Sequence, residues 1–161
     1  MFGPATVFRR RLSMTATASR VRERTAPEIN RRIDDELRER IRFFANMPQY
    51  IDARLKTLDE EWDVERVLEA NAATFSLLGL VLGSRVDRRF YGFSALVAAF
   101  LLQHAVHGWC PPLPVLRRLG FRTAAEIERE RYALKALRGD FVMSGSMKRD
   151  LATILRAVGL E

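Results

Sequence analysis

The chain has 161 residues, and 27 Lys plus Arg against 20 Asp plus Glu give a formal net charge of +7 and a pI of about 10.4. That length fits one domain or a small domain with tails, and a hydrophobic share of 48% beside a charged share of 29% excludes collagen-like and wholly disordered chains. Cys110 is the only cysteine, so no intramolecular disulfide forms, and one Cys with two His cannot close a structural zinc site within one chain.

Residues 1–24 read as a disordered basic tail. Up to Arg22 they carry Arg9, Arg10, Arg11, Arg20 and Arg22 with no acidic residue, a composition like that of a transit peptide. They lack the continuous apolar run of a secretory signal, so no cleavage is assigned, and Met14 offers a second start. Such a tail attracts anionic lipid by charge alone.

Residues 25–64 read as N-terminal amphipathic helices. Thr25 is placed to cap the first, with Pro27 in its first turn and Glu28 reaching back to the cap. Ile33, Leu37, Ile41 and Phe44 then recur at helical spacing along one stripe, and the opposite face mixes Arg31, Arg32, Asp34, Glu36 and Arg38 like a solvated surface. After Pro48 a second helix shows Ile51, Leu55, Leu58 and Trp62 at spacings of four, three and four.

Beyond Glu69 the pattern changes. Ala70 to Ser84 is fifteen residues without a charge, Arg85 to Arg89 is a polar turn, and Phe90 to Cys110 is twenty-one residues without a charge. A helix needs roughly 20 apolar residues to cross a bilayer, so the second stretch suffices, and the first does only when Val67 and Leu68 are counted and Glu69 reaches back to the interface. A buried helix pair inside a soluble bundle is the competing reading. Gly79 and Gly83 favour the membrane, because they lie one turn apart and let another backbone approach, which matters where packing holds helices together. The flanking rings of Phe90, Tyr91 and Trp109 suit the interface. Arg54, Lys56, Arg66, Arg117, Arg118 and Arg122 flank the two stretches against Arg85, Arg88 and Arg89 in the turn, so the positive-inside rule puts both termini in the cytoplasm.

The second stretch ends in the one cluster with chemical potential, His104, His107 and Cys110. Steps of three spread these side chains over an arc, so they are weak candidates for a metal site or haem ligation unless a dimer gathers them. A redox or sulfur-handling thiol at Cys110 is the alternative to packing. Pro111 and Pro112 end the helix there, and its negative end disfavours a thiolate.

Gly108-Trp109-Cys110-Pro111, with Leu119-Gly120 after it and Glu65-Arg66 before the apolar stretches, resembles the transmembrane domain at the C-terminus of YgaP-like bacterial inner-membrane proteins. That domain also occurs as small stand-alone proteins. The resemblance covers residues 65–122 and implies a two-helix hairpin in the cytoplasmic membrane, commonly dimerising, with a Gly-x-Cys-Pro element after its second helix. Some members join it to a rhodanese domain that handles sulfane sulfur. No such module fits before Glu65 and no second cysteine is present, so sulfurtransferase activity does not carry over.

Residues 123–161 read as C-terminal amphipathic helices. Thr123 to Glu126 forms a capping box, and Gly139 stops the helix it opens. Ile127, Leu134 and Leu137 face either the membrane surface or the first helices. Ser144, Gly145 and Ser146 read as a break, and a last short helix uses Met147, Leu151, Ile154, Leu155 and Val158. The basic residues are scattered with no reading motif, so nucleic acid is not an expected partner.

The sequence thus predicts an all-α protein, a two-helix transmembrane hairpin with flanking amphipathic helices. Its expected partners are the lipid bilayer, a second copy in a homodimer and a further protein. It is expected to work in binding or assembly rather than as an enzyme, without a cofactor.

Overall fold

Apolar side chains recurring every three or four residues make most of this chain helical, and the computed structural model is all-α, with no strand among the described residues, 19–141 and 151–160. Residues 1–18, the Ser144–Ser146 break and Met147 lie outside the described residues.

Helix α1 (Arg20–Glu23) falls within the stretch expected to be a disordered tail, yet its Val21 is buried beside Val64, Leu68, Cys110 and Leu113. Helix α2 (Pro27–Asn46) buries the expected stripe of Ile33, Leu37, Ile41 and Phe44. Its cap differs from expectation. Ala26 occupies the N-cap position and has no side-chain group to cap with, while the Thr25 hydroxyl is turned elsewhere, donating to the Val21 carbonyl at 2.7 Å and accepting from Arg117 Nε. A 3-10 turn at Pro48–Tyr50 leads into α3 (Ile51–Glu60), which buries Ile51, Leu55 and Leu58. Trp62 lies beyond α3 and is exposed, with the Arg66 guanidinium stacked 4.4 Å from its ring centre.

Helix α7 (Ala124–Arg138) is the helix on which α2 and α3 pack. Its N-terminus carries the expected capping box, with Thr123 accepting from the Glu126 N–H and Glu126 accepting from the Thr123 N–H. Leu134 and Ile127 pack with Phe44, Ile51, Leu55 and Leu58, while Ala133 joins Leu37 and Ile41 against Ile154 and Leu155 of α8 (Leu151–Ala157). The apolar face of α7 is therefore spent on protein rather than on a membrane surface. Each fully buried Leu or Ile contributes about 1.5–3 kcal/mol relative to an exposed one.

Helix α4 (Val64–Arg85) begins inside this bundle. Asp63 caps it by accepting from the Arg66 N–H at 2.7 Å, and the Val64 N–H donates to the Arg122 carbonyl at 2.8 Å. Beyond Leu68 its only buried residues are Gly79 and Gly83. Helix α5 (Arg89–His107) buries Ser94 alone, against α4, and ends at Gly108, whose left-handed φ of 70° closes the last turn. The two helices run in opposite directions side by side, Gly83 meeting Tyr91 and Gly79 meeting Phe93 and Ser94. A short helix α6 (Leu113–Arg118) then returns the chain to α7.

Helical stretches Pro48–Arg85 and Arg89–His107 each hold a window long and apolar enough to cross a membrane, and only 22% and 11% of those windows is buried. A helix in a soluble core is mostly buried. Here Leu77 and Leu102 stand 64% and 67% exposed, while the apolar residues of α2, α3 and α7 that form the core are covered.

Candidate functional site

The residues singled out by sequence lie at two levels of the α4–α5 pair. Near the turn, Gly79 and Gly83 sit at the α4–α5 contact. A Cβ at Gly79 would overlap Ser94 Oγ and stand 3.1 Å from the Phe90 carbonyl, and one at Gly83 would stand 2.7 Å from the Tyr91 ring. Ser94 uses the closeness, its hydroxyl donating to the Ser76 carbonyl at 3.0 Å. These glycines are thus engaged within the chain.

At the opposite end the structure brings together two of the three chemistry-bearing residues. His104 and Cys110 line one cavity of about 230 Å³ between α4 and α5, whereas His107 is exposed and takes no part in it. The cavity runs from Phe75 and Val97 toward the bundle, and its walls are almost wholly apolar. No group of three or more His, Cys, Asp or Glu side chains is placed to hold a metal ion among the described residues. Cys110 is 3% exposed, and burial pushes its thiol up, only partly offset by the Leu113 backbone N–H. A thiol held protonated is a poor nucleophile. Arg117, close by in sequence, brings it no charge because its guanidinium is fully committed elsewhere.

That commitment is the largest feature the sequence reading missed. Arg117, on α6, is 0% exposed and donates to Thr25, Asn30, the Phe121 carbonyl and both carboxylate oxygens of Glu126. One turn along α7, Glu130 is equally buried and accepts from Arg54 at 2.7 and 3.1 Å, from Arg40 at 3.2 Å and from Arg122. Arg122 also bridges to Glu61. Burial alone would push both carboxyls up, but Arg117 at Glu126, and Arg54 and Arg122 at Glu130, outweigh it and hold each below the usual carboxylate range. The network ties the connector that follows α5 to α2, α3 and α7. With its carboxylate oxygens paired it is built to hold position, not to move protons.

A signal for it stood in the sequence. Glu130 occupies the 3–4 spacing between Ile127 and Leu134, so an acidic residue sits in the core register of α7. Such a carboxylate is stable only when paired.

Comparison of the chain with protein-family models, curated proteins and solved structures finds no match.

Proposed function

We propose that the chain is a small integral protein of the bacterial cytoplasmic membrane, a stand-alone relative of the YgaP-like transmembrane domain. In this reading α4 and α5 form a transmembrane hairpin, and the remaining helices form a bundle on the cytoplasmic face together with both termini. It acts as a membrane-anchored binding or assembly protein, as a homodimer, and not as an enzyme.

The observation that carries this reading is the contrast between the two parts of the chain. The bundle buries its apolar stripes and pairs its buried carboxylates, whereas α4 beyond Leu68 and α5 hold Leu77, Leu80, Val81, Leu96 and Leu102 half to two-thirds exposed. An apolar surface of that extent in water marks a membrane or protein contact, and lipid satisfies it along the full length of both helices.

Single cysteines introduced into a Cys110→Ser background test it. Residues at Leu80 and Leu96 are expected to resist a water-soluble maleimide in sealed membranes, one at Asp87 to react from the periplasmic side, and one at Lys56 to react only after permeabilisation. Rapid labelling at Leu80 and Leu96 would overturn the spanning hairpin, and reversal of the other two would overturn the orientation.

A further inference from the structure

We infer that α6 docks the bundle on the bilayer surface: Val115 and Leu119 seat in the headgroup layer, and the Arg118 guanidinium takes a phospholipid phosphate. This deepens the membrane reading and rests on it.

Length fixes the level at which α6 lies. Helix α5 has 19 residues and is therefore about 28 Å long, close to the roughly 30 Å thickness of the hydrocarbon core. With the charged turn, residues 85–89, at one boundary, the other boundary falls at the far end of the hairpin, around Leu68 and His107. That is where α6 is held. Leu116 packs on the cluster of Val21, Val64, Leu68, Cys110 and Leu113, and with Pro112 it shares a cavity wall with Ala72 of α4 and Leu101 of α5. Trp109, exposed just before α6, is an amphipathic ring suited to that depth.

The outward face of α6 sets the partner. Leu113 and Arg117 turn into the bundle, while Val115 and Leu119, four positions apart on one face, stand 56% and 70% exposed. Outside the hairpin and its turn, no large apolar side chain among the described residues is more exposed than these two. Arg118 follows Val115 by three positions and so borders the same face. It is exposed, and its guanidinium has no acidic partner among the described residues. Arg32 donates to the Arg118 carbonyl at 2.8 Å, which brings a second guanidinium to this end of α6. An apolar face edged by cations matches the bilayer surface, where the apolar side chains reach the acyl boundary and the long cationic side chain extends to the phosphates.

The test uses the full chain in phosphatidylcholine nanodiscs, with Val115→Cys, Leu119→Cys, Tyr132→Cys or Leu80→Cys in a Cys110→Ser background, each labelled with a nitrobenzoxadiazole fluorophore. All four positions are exposed in the protein, and Tyr132 on α7 serves as the aqueous control. Labels at 115 and 119 are expected to be quenched by phosphatidylcholine spin-labelled near the headgroup at least about twofold more than the label at 132, and by aqueous iodide at least about twofold less. Arg118→Glu is expected to lower lipid quenching at 119 about twofold, whereas Arg118→Lys, which keeps the charge, retains it. Iodide access at 115 and 119 equal to that at 132 would overturn the docking, and unchanged quenching in Arg118→Glu would overturn the phosphate contact. The label at 80 is scored in the same nanodiscs with a lipid spin-labelled deep in its chain. Quenching there with none at 115 and 119 removes the α6 contact and leaves the hairpin, whereas its absence removes the hairpin itself.

Discussion

Arg117 and Glu126 meet through two parallel hydrogen bonds, 2.7 and 2.8 Å long, with both side chains almost completely shut off from solvent. Paired forks of this kind are the geometry in which a guanidinium cannot be replaced by an ammonium. Arg117→Met leaves Glu126 with only Arg22 beside it and is expected to destabilise the bundle by about 3 kcal/mol or more. Arg117→Lys is expected to cost less than Arg117→Met but well above zero. Thermal unfolding of the purified protein, read by circular dichroism, checks both.

Glu126 and Glu130 both titrate below the ordinary carboxylate range in the folded protein and within it when unfolded. The stability they provide is therefore fully present above the ordinary range and is lost as pH falls through it toward the folded values. The unfolding midpoint is expected to drop steeply on acidification below about pH 4.5. Glu130→Gln is expected to lower the midpoint at neutral pH and to flatten that acid limb.

Gly108 closes α5 with a left-handed backbone, and a Cβ there would lie 2.6 Å from Arg20 Cβ. Gly108→Ala meets two penalties, about 1–3 kcal/mol of backbone strain and a contact that pushes α1 away. The expected result is faster amide exchange at Val21 and in the last turn of α5, with α2 and α7 unaffected. Unchanged exchange at Val21 would show that α1 does not depend on this contact.

The two interhelix glycines differ in what surrounds them. A methyl at Gly79 meets a backbone carbonyl as well as Ser94, whereas the three atoms nearest to one at Gly83 all belong to the ring of Tyr91, which is exposed and able to turn aside. Gly79→Ala is expected to widen the α4–α5 spacing and lower thermal stability more than Gly83→Ala. Spin labels at Val81 and Leu96, with distances measured by pulsed resonance, read the spacing directly.

Cys110 is expected to react with N-ethylmaleimide at neutral pH at least about tenfold more slowly than free cysteine, because it is buried and its thiol is pushed up. Fast alkylation in the folded protein would favour thiol chemistry at this residue over packing.

The stripes were legible because a helix that buries one face must repeat its apolar residues. Ile33, Leu37, Ile41 and Phe44 announced α2, and the charge-free runs announced the apolar character of α4 and α5, though α4 begins six residues before its run, at Val64. The Thr123–Glu126 cap was legible because both its bonds join residues three apart. The Thr25 cap failed for the opposite reason, since its hydroxyl is claimed by Arg117, ninety-two positions away. Long-range pairing also hid the fate of Arg54, Arg117 and Arg122. Counted in sequence as charges flanking the membrane, they are the partners of Glu126, Glu130 and Glu61 inside the bundle. The cavity at His104 depends on the register of α4 against α5 and on the fold-back after Pro112, neither of which any local pattern encodes.

The central claim is that α4 and α5 lie in a bilayer, and washing membranes with alkaline carbonate tests it most directly. The account predicts that the protein stays in the pelleted membranes and floats with them on a density gradient until detergent is added. Release of the intact, monodisperse chain into the supernatant without detergent would contradict it.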